Sequence, residues 1–532
     1  MKNLGVSIAT FADLIESNFI YVDKTAFLYE LVKNKGLYFL SRPRRFGKSL
    51  TCSTLEALFR GKKELFKGLA ISLTDYDWKQ YPVIHISFAA IAHKTSSELI
   101  ENMTKVFIDI AKSYAIDIDQ EAGPEYICFL LIQKLYEKHG PVAVIIDEYD
   151  KPILDHIGDS VMVEKMTRIM RSLYSIFKDN QVVSSLRFLF ITGVSKFSKV
   201  SLFSELNNLE DLSLQDAMAT LCGYTQQELE YNFKDYIVEL AQKNILTYEQ
   251  TLEKLKYWYN GFLFCRQGDR VYNPFSIINC LKVKNFTNYW FSSGTPKFMM
   301  IALNDAPPEK KDDLKKILLT LELQRISSSS LENLRVEVLY KNLLVLLLQT
   351  GYVTIKAYDD FADMYQLCYP NEEVRKSCTE QIFEELADIH VDTFALWIAK
   401  FRRALLNDDL DTFCTLMETF MRLLPFTIIV DREKSYQGSF FMICKLLGIK
   451  MLVEEATDIG IIDGVITTPG HVYVIEFKRD QTPDVALQQI IDRNYSFKYV
   501  VESDKPIVHV GINFDFEDGK QVALSWKRED NV

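Results

Sequence analysis

Four short runs in the first half of the chain are apolar at consecutive positions: "GLYFLS" (36–41), "PVIHISF" (82–88), "VAVIID" (142–147) and "LRFLFIT" (186–192). A strand with one wet face would be apolar only at every second position, so these runs predict strands buried on both faces. Between them lie longer amphipathic stretches such as "KSLTCSTLEALFRG" (48–61) and "EYICFLLIQKLYEKHG" (125–140), which read as helices. Strand and helix in alternation imply an α/β fold, a parallel sheet with helices on both faces. That pattern holds to about residue 281. From 282 to 426 leucine recurs at helical spacing, in "KKDDLKKILLTLEL" and "FALWIAKFRRALLNDDLDTF", and predicts a helical bundle or lid. From 427 to 532 a helix, strands, a further helix and more strands predict a small α/β domain. A chain of 532 residues exceeds what one core serves, in keeping with three such regions.

The first predicted strand runs into "SRPRRFGKSL" (41–50), which ends like a phosphate-binding loop, G-x-x-x-x-G-K-[ST], but has Arg42 where the first glycine is expected. Gly47, Lys48 and Ser49 follow a strand and open a helix. That context aims backbone N–H groups and the helix N-terminus at phosphates. Lys48 would reach the β- and γ-phosphates of ATP and the Ser49 hydroxyl would sit on Mg²⁺, while Arg45, Phe46 and Leu50 complete the loop. Arg42, Arg44 and Arg45 would add positive charge beside it.

A second motif accompanies the loop. "VAVIIDEYD" is an apolar strand ending in Asp147 and Glu148. The aspartate is expected to hold Mg²⁺ and the glutamate to position the attacking water. The strand "LRFLFITG" ends at Thr192 and Gly193, which places Thr192 beside the γ-phosphate. Lys196 could complete the site or contact a neighbour.

Near the C-terminus, "IIDGVITTPGHVYVIEFKRD" (461–480) has a turn signal, Thr468-Pro469-Gly470-His471, between two alternating runs. Folding about Pro469–Gly470 pairs Thr467 with Val472, Val465 with Val474 and Asp463 with Glu476. Two carboxylates then face each other on one side of the sheet, and Lys478, two residues on, points the same way. Opposed like charges destabilise a sheet unless a cation compensates. Asp463 and Glu476 would hold Mg²⁺ through hard oxygen ligands, with Lys478 steadying the attacking water of a phosphodiesterase.

"YVDKT" (21–25), "LSRPRRFGKSL" (40–50), "DEYDKPIL" (147–154), "TGVSKFSKVSLFSELNNLEDLS" (192–213), "WYNGFLF" (258–264), "VYNPFSIINCL" (271–281) and "NYWFSSGT" (288–295) together resemble one family. It comprises the bacterial and archaeal AAA-ATPase-like proteins with a C-terminal PD-(D/E)XK nuclease-like domain. R-P-R-R-F-G-K-S is that family's loop, so the resemblance makes Arg42 a family feature. It further implies that Tyr21 and Asp23 lie near the base, that Glu433, one turn from Tyr436, extends the metal site, and that Gln489 belongs to it. Two positions depart from the family pattern. Gly460-Ile461-Ile462-Asp463 lacks an arginine before the hairpin, and Gln437 stands where a histidine is common.

Other chemistries find no footing. Nine cysteines show no C-x-x-C pair and seven histidines are dispersed, without zinc-site spacing. Reduced thiols and a start without a signal-peptide core point to the cytoplasm. The apolar run "LYKNLLVLLLQTGYV" (339–353) is broken by Lys341 and Asn342, and no membrane span is expected. Net charge is −11, which does not draw the whole molecule to nucleic acid, although a local groove could still do so. The expected function is an ATP-regulated, Mg²⁺-dependent nuclease, with DNA ahead of RNA as substrate. A nucleotide switch or scaffold whose nuclease-like domain only binds is the second reading. A homo-oligomer and a protein partner stay open.

Overall fold

The computed structural model describes the chain apart from residues 197–208, 291–300, 332–340, 388–390, 424–439 and 457–460, scattered positions between 303 and 323 and between 442 and 450, and residues 1, 7, 9, 120, 518, 519, 531 and 532. Each of the four apolar runs is a strand: β1 (Gly36–Ser41), β2 (Val83–Ser87), β3 (Val142–Asp147) and β4 (Leu186–Gly193). With a two-residue β5 (Glu210–Asp211) they pair in parallel in the order β2-β3-β4-β1-β5. Every residue of β3 is buried, and every residue of β4 except Arg187. In an open parallel sheet, ligands bind beyond the carboxyl ends of the strands. Here the ends of β1, β4 and β3 stand side by side at Ser41, Gly193 and Asp147.

The chain divides into two compact units, Met1–Ala306 with Leu321–Arg375, and Pro307–Thr320 with Lys376–Val532. The stretch 282–426 is therefore shared between them. It is helical at Leu343–Thr350, Glu372–Ala387, Val391–Leu406 and Leu410–Leu423. It also carries a small antiparallel sheet that leucine periodicity did not signal: β6 (Arg325–Ser327), β7 (Thr354–Asp359) and β8 (Met364–Cys368), in the order β6-β8-β7. No described helix is long and apolar enough to cross a membrane. All nine cysteines are thiols, and all but Cys368 are buried.

The second unit is built on β9 (Met451–Ala456), β10 (Ile461–Thr467), β11 (Val472–Arg479), β12 (Ile507–Glu517) and β13 (Lys520–Asp530), in the order β13-β12-β11-β10-β9. Only β11 and β12 run parallel, and the helix Pro483–Asp492 lies in the connection between them. Leu487 and Ile490 of that helix pack on Val465, Val472 and Val474. The β10–β11 turn closes where the sequence placed it: the Thr468 N–H donates to the His471 carbonyl at 2.9 Å, and the His471 N–H to Thr468 Oγ1 at 2.9 Å.

One carboxylate staples a helical hairpin to this sheet. Asp408 sits between the helices Val391–Leu406 and Leu410–Leu423, with φ +57°. It accepts the Tyr473 hydroxyl from β11 at 2.6 Å and Arg528 Nη2 from β13 at 2.6 Å, and Arg528 Nη1 donates to its carbonyl at 3.1 Å. Burial pushes the carboxyl up, but the Arg528 and Tyr473 bonds outweigh it and hold Asp408 below the usual carboxylate range. A depressed carboxylate contributes stability above its unfolded pKa, and that stability is lost as pH falls through the folded value. Asp408→Ala is expected to lower unfolding stability by about 1–3 kcal/mol at pH 7. The gap to wild type should narrow below about pH 4. Equal urea midpoints for the two proteins at pH 7 would contradict the staple.

Candidate nucleotide and nuclease sites

At the end of β1 the chain turns through a left-handed residue, Gly47 at φ +92°, into the helix Lys48–Phe59. A side chain there would be strained, which accounts for the glycine. Arg45, also left-handed at φ +68°, lays its guanidinium 4.7 Å from the centre of the Phe275 ring. Lys48 is buried and folds back on its own loop, donating to the carbonyls of Arg42 at 3.0 Å and Pro43 at 2.9 Å. Burial lowers its pKa, against the pull of Asp147 and Asp150. Ser49 and Leu50 line, with Arg44, Arg45, Phe46, Gly47 and Lys48, a cavity of about 470 Å³. The Phe46 ring itself is buried against Phe262 and Phe264, so only its backbone is available to a phosphate.

Arg42 does not add charge to this cavity. It is 1% exposed and turned away, donating to the carbonyls of Ser41 at 2.9 Å, Ser213 at 2.7 Å and Met218 at 3.0 Å, with its guanidinium 4.4 Å from the Phe264 ring centre. It ties the loop's entry to residues 213–218, a task that glycine could not perform. Arg42→Gly, which restores the common loop pattern, is therefore expected to weaken the protein. Each buried carbonyl left short of a donor costs roughly 1–3 kcal/mol, less wherever water enters the vacated space. A thermal midpoint unchanged by Arg42→Gly would rule this role out.

At the end of β3, Asp147 is 3% exposed and its Oδ1 accepts the Glu148 N–H at 2.9 Å. Glu148 is half-buried with φ +50°, a conformation costly for a residue with a Cβ and typical of functional sites. Burial raises its carboxyl pKa, and Asp147 raises it further. Glu148 lines the cavity, as does Asp150, which sequence reasoning passed over. Asp150 is 1% exposed, and its Oδ2 accepts the N–H of Val194 at 3.0 Å, the N–H of Ser195 at 2.7 Å and the Ser195 hydroxyl at 2.6 Å. A Cβ at Gly193 would come within 2.4 Å of Asp150 Oδ1 and 2.5 Å of the Tyr149 ring, so glycine permits this approach. Thr192 faces elsewhere: fully buried, it donates its hydroxyl to the Leu40 carbonyl at 2.7 Å within the sheet. From this strand end the group that reaches the cavity is Asp150's partner segment, not the threonine hydroxyl. Lys196 pairs with Asp211 at 2.5 Å.

The motif before the loop divides its labour. Tyr21 lines the cavity, and burial, then Asp23, raises its pKa. Asp23 is occupied in holding backbone, accepting from the Thr25 N–H at 2.8 Å and the Ala70 N–H at 2.7 Å, and is not among the residues that line the cavity. Lys24, missed in the sequence, lines the cavity and is bonded to Glu228 at 2.6 Å.

In the second unit the predicted register holds. The ladder pairs Thr467 with Val472, Val465 with Val474 and Gly464 with Ile475, which brings Asp463 and Glu476 next in line. Asp463 Oδ2 accepts the Phe477 N–H at 2.9 Å. Glu476 is 2% exposed; its Oε1 takes the Lys478 ammonium at 3.1 Å and the Gln489 amide, while Lys478 also donates to Gln489 Oε1 at 2.8 Å. Its Oε2 is buried without a hydrogen-bond partner among the described residues. Burial pushes the Glu476 carboxyl up to about 7, and Asp463 adds to the rise. An orphaned buried carboxylate oxygen beside a second carboxylate suits a hard divalent cation, so Mg²⁺ fits the residues present. No group of three or more His, Cys, Asp or Glu with metal-binding geometry occurs among the described residues. Glu433, with Tyr436 and Gln437, lies outside them.

Comparison with known proteins agrees with both halves. A family model described as predicted AAA-ATPase matches residues 5–203, and one for the PD-(D/E)XK nuclease superfamily matches residues 431–523. A protein of Azotobacter chroococcum mcd 1, described as an uncharacterized protein in the vnfD 5' region, is 33% identical over 98% of this chain and 98% of its own. A solved structure of the Aeropyrum pernix ORC2 protein, in ADPNP and ADP complexes, aligns with 68% of this chain and 92% of its own at 12% identity and a TM-score of 0.24, too slight a likeness to argue from. With the loop, the paired acids at the end of β3 and the D…E-x-K hairpin in place, the chain belongs to the AAA-ATPase-like proteins that carry a C-terminal PD-(D/E)XK nuclease-superfamily domain.

Proposed function

We propose that this protein binds and hydrolyses ATP in its first unit and that the state of that site regulates a Mg²⁺-dependent nuclease in its second, with DNA the expected substrate. The observation that carries the nuclease half is Glu476, a buried carboxylate with one oxygen unpartnered, its pKa pushed up to about 7, beside Asp463 and Lys478. Mg²⁺ held by Asp463 and Glu476 would polarise the scissile phosphate and acidify a bound water. Lys478, held by Glu476 and Gln489, keeps its ammonium at the site to meet the developing negative charge. We assign the ATPase to residues 1–281, the helical region to 282–426 and the nuclease-like domain to 427–532.

For ATP, Gly47, Lys48 and Ser49 would take the phosphates, with Ser49 and Asp147 toward Mg²⁺ and Glu148 orienting water. Tyr21, Phe275 and Ile278 line the same cavity and offer the base an apolar wall. AAA-like ATPases often complete this site with a neighbour's arginine, so a homo-oligomer is one form the protein could take, in the cytoplasm. The switch-or-scaffold reading gains from one position. Ile461, where the family has an arginine, is 55% exposed and gives a phosphate nothing to bind. Incubating the purified protein with Mg²⁺ and linear duplex or single-stranded DNA and RNA, with and without ATP, decides between them. Cleavage abolished by Glu476→Ala at intact fold supports the nuclease. ATP hydrolysis lost with Glu148→Gln, and no cutting under any condition, supports the switch.

A further inference from the structure

A buried acid outside both sites holds two parts of the nucleotide cavity together. Glu373 is 1% exposed and stands on the first turn of the helix Glu372–Ala387. Its Oε1 accepts the N–H groups of Tyr289 at 2.6 Å and Trp290 at 2.8 Å, and its Oε2 accepts the Ser276 hydroxyl at 2.7 Å. Ser276 belongs to the helix Pro274–Val283, whose Pro274, Phe275 and Ile278 line the cavity and whose Phe275 carries the Arg45 guanidinium. The Trp290 indole donates to the Arg44 carbonyl in the phosphate loop at 3.1 Å. Two of the loop's three arginines, Arg44 through its carbonyl and Arg45 through its guanidinium, are thus held by elements that converge on one carboxylate. The turn bearing that carboxylate is fixed in its own right, by Asn371, which caps the Val374 N–H at 3.1 Å and donates to the Asn260 carbonyl at 2.8 Å. The first unit ends at Arg375 and the second resumes at Lys376, so this helix carries the chain from one to the other.

We propose that Glu373 is a positioning residue that transmits nucleotide occupancy of the phosphate loop, through Trp290 and Ser276, to the helix Glu372–Ala387. If Lys48 gives up its bonds to the Arg42 and Pro43 carbonyls for the phosphates, the loop between them, with the Arg44 carbonyl and the Arg45 side chain, would shift. That movement arrives at Glu373 as strain on three short hydrogen bonds in a dry site, where a lost partner is costly. Glu373 touches neither nucleotide nor metal. The proposal rests on the ATP reading of the cavity.

Amide hydrogen exchange across 372–380, with and without AMP-PNP and Mg²⁺, reads this link directly, with binding of a fluorescent ATP analogue measured alongside. In the wild type, nucleotide is expected to change exchange in this turn by about fivefold or more, the low end of ordinary coupling between sites. Trp290→Phe removes the indole bond to Arg44 and keeps an aromatic ring beside Phe262 and Tyr352; it should still bind nucleotide but lose most of that change. Glu373→Ala should lose it too, while Glu373→Gln, which keeps an acceptor for Tyr289 and Trp290, should retain it. Wild-type protein that binds AMP-PNP with no change at 372–380, or a Trp290→Phe variant with the full change, would overturn the proposal and leave the ATP reading standing. Wild-type protein that binds no nucleotide would overturn both. If Glu373→Ala does not fold, Trp290→Phe alone decides.

Discussion

Glu476→Gln is expected to abolish Mg²⁺-dependent cleavage while leaving the protein as stable as before, or more so. Glutamine has the shape of glutamate and can still accept from Lys478 and Gln489 where Oε1 does now. It replaces Oε2, the oxygen left without a partner, by an NH₂ group that cannot ligate a cation. Metal catalysis supplies several kcal/mol of charge stabilisation, so the loss in rate should be at least about 10³-fold. Stability should move the other way. Glu476 has a folded pKa of about 7, above its unfolded value. A raised carboxylate contributes stability that is complete below the unfolded pKa and is lost as pH rises through the folded one. At pH 8 without metal the wild type therefore carries a buried, ionised and half-satisfied acid, and the amide relieves it. Addition of Mg²⁺ should raise the thermal midpoint of the wild type at pH 8 and not that of Glu476→Gln. Because the cation competes with a proton, the midpoint shift in the wild type should shrink as pH falls below about 7. Equal cleavage by the two proteins would place the nuclease elsewhere or remove it.

The parts of both sites that the sequence displayed are those governed by local rules. The hairpin register follows from a four-residue turn and a period of two, so Val465 opposite Val474 could be read directly. Gly47-Lys48-Ser49 after a strand and before a helix is likewise a matter of neighbours. What escaped depends on contacts distant along the chain. Arg42 reads as one more charge in a basic loop until the carbonyls of Ser213 and Met218, 171 and 176 residues away, take its guanidinium. Thr192 ends a strand as a phosphate sensor would, but its hydroxyl finds the Leu40 carbonyl of the adjacent strand first. Asp150 is one more acid in "DEYD" until it is seen to accept three bonds from 194–195. Glu373 carries no local signal, since it sits beside Glu372 in an ordinary acidic first turn, and its bonds to Ser276, Tyr289 and Trp290 are what mark it out.

Glu148→Gln is expected to lower ATP hydrolysis by about 10²- to 10⁴-fold, the usual contribution of a positioned acid–base group, with ATP still bound. The substitution would separate chemistry from affinity because, on the ATP reading, the phosphate contacts would come from the loop after β1 and from Lys48, which opens the next helix, while Glu148 follows β3. Lys48→Ala should instead lose binding itself. Glutamine at 148 faces the same left-handed backbone as glutamate, so its structural consequence is small, and any fall in rate reports the carboxylate. The carboxyl is already poised by burial and by Asp147, both of which raise its pKa. Hydrolysis at saturating ATP should accordingly rise with pH as Glu148 ionises, and the residual rate of the glutamine variant should lose that dependence. A variant that hydrolyses ATP like the wild type would move the water-positioning role away from Glu148, and Asp150, buried on the same cavity with one oxygen unpartnered, is where it would go. Trapped in the ATP-bound state, Glu148→Gln also isolates the regulatory step. If DNA cleavage by this variant is fixed at the level that wild type shows with AMP-PNP, binding sets the nuclease. If cleavage instead falls to nothing in both, each cut requires a turnover of ATP.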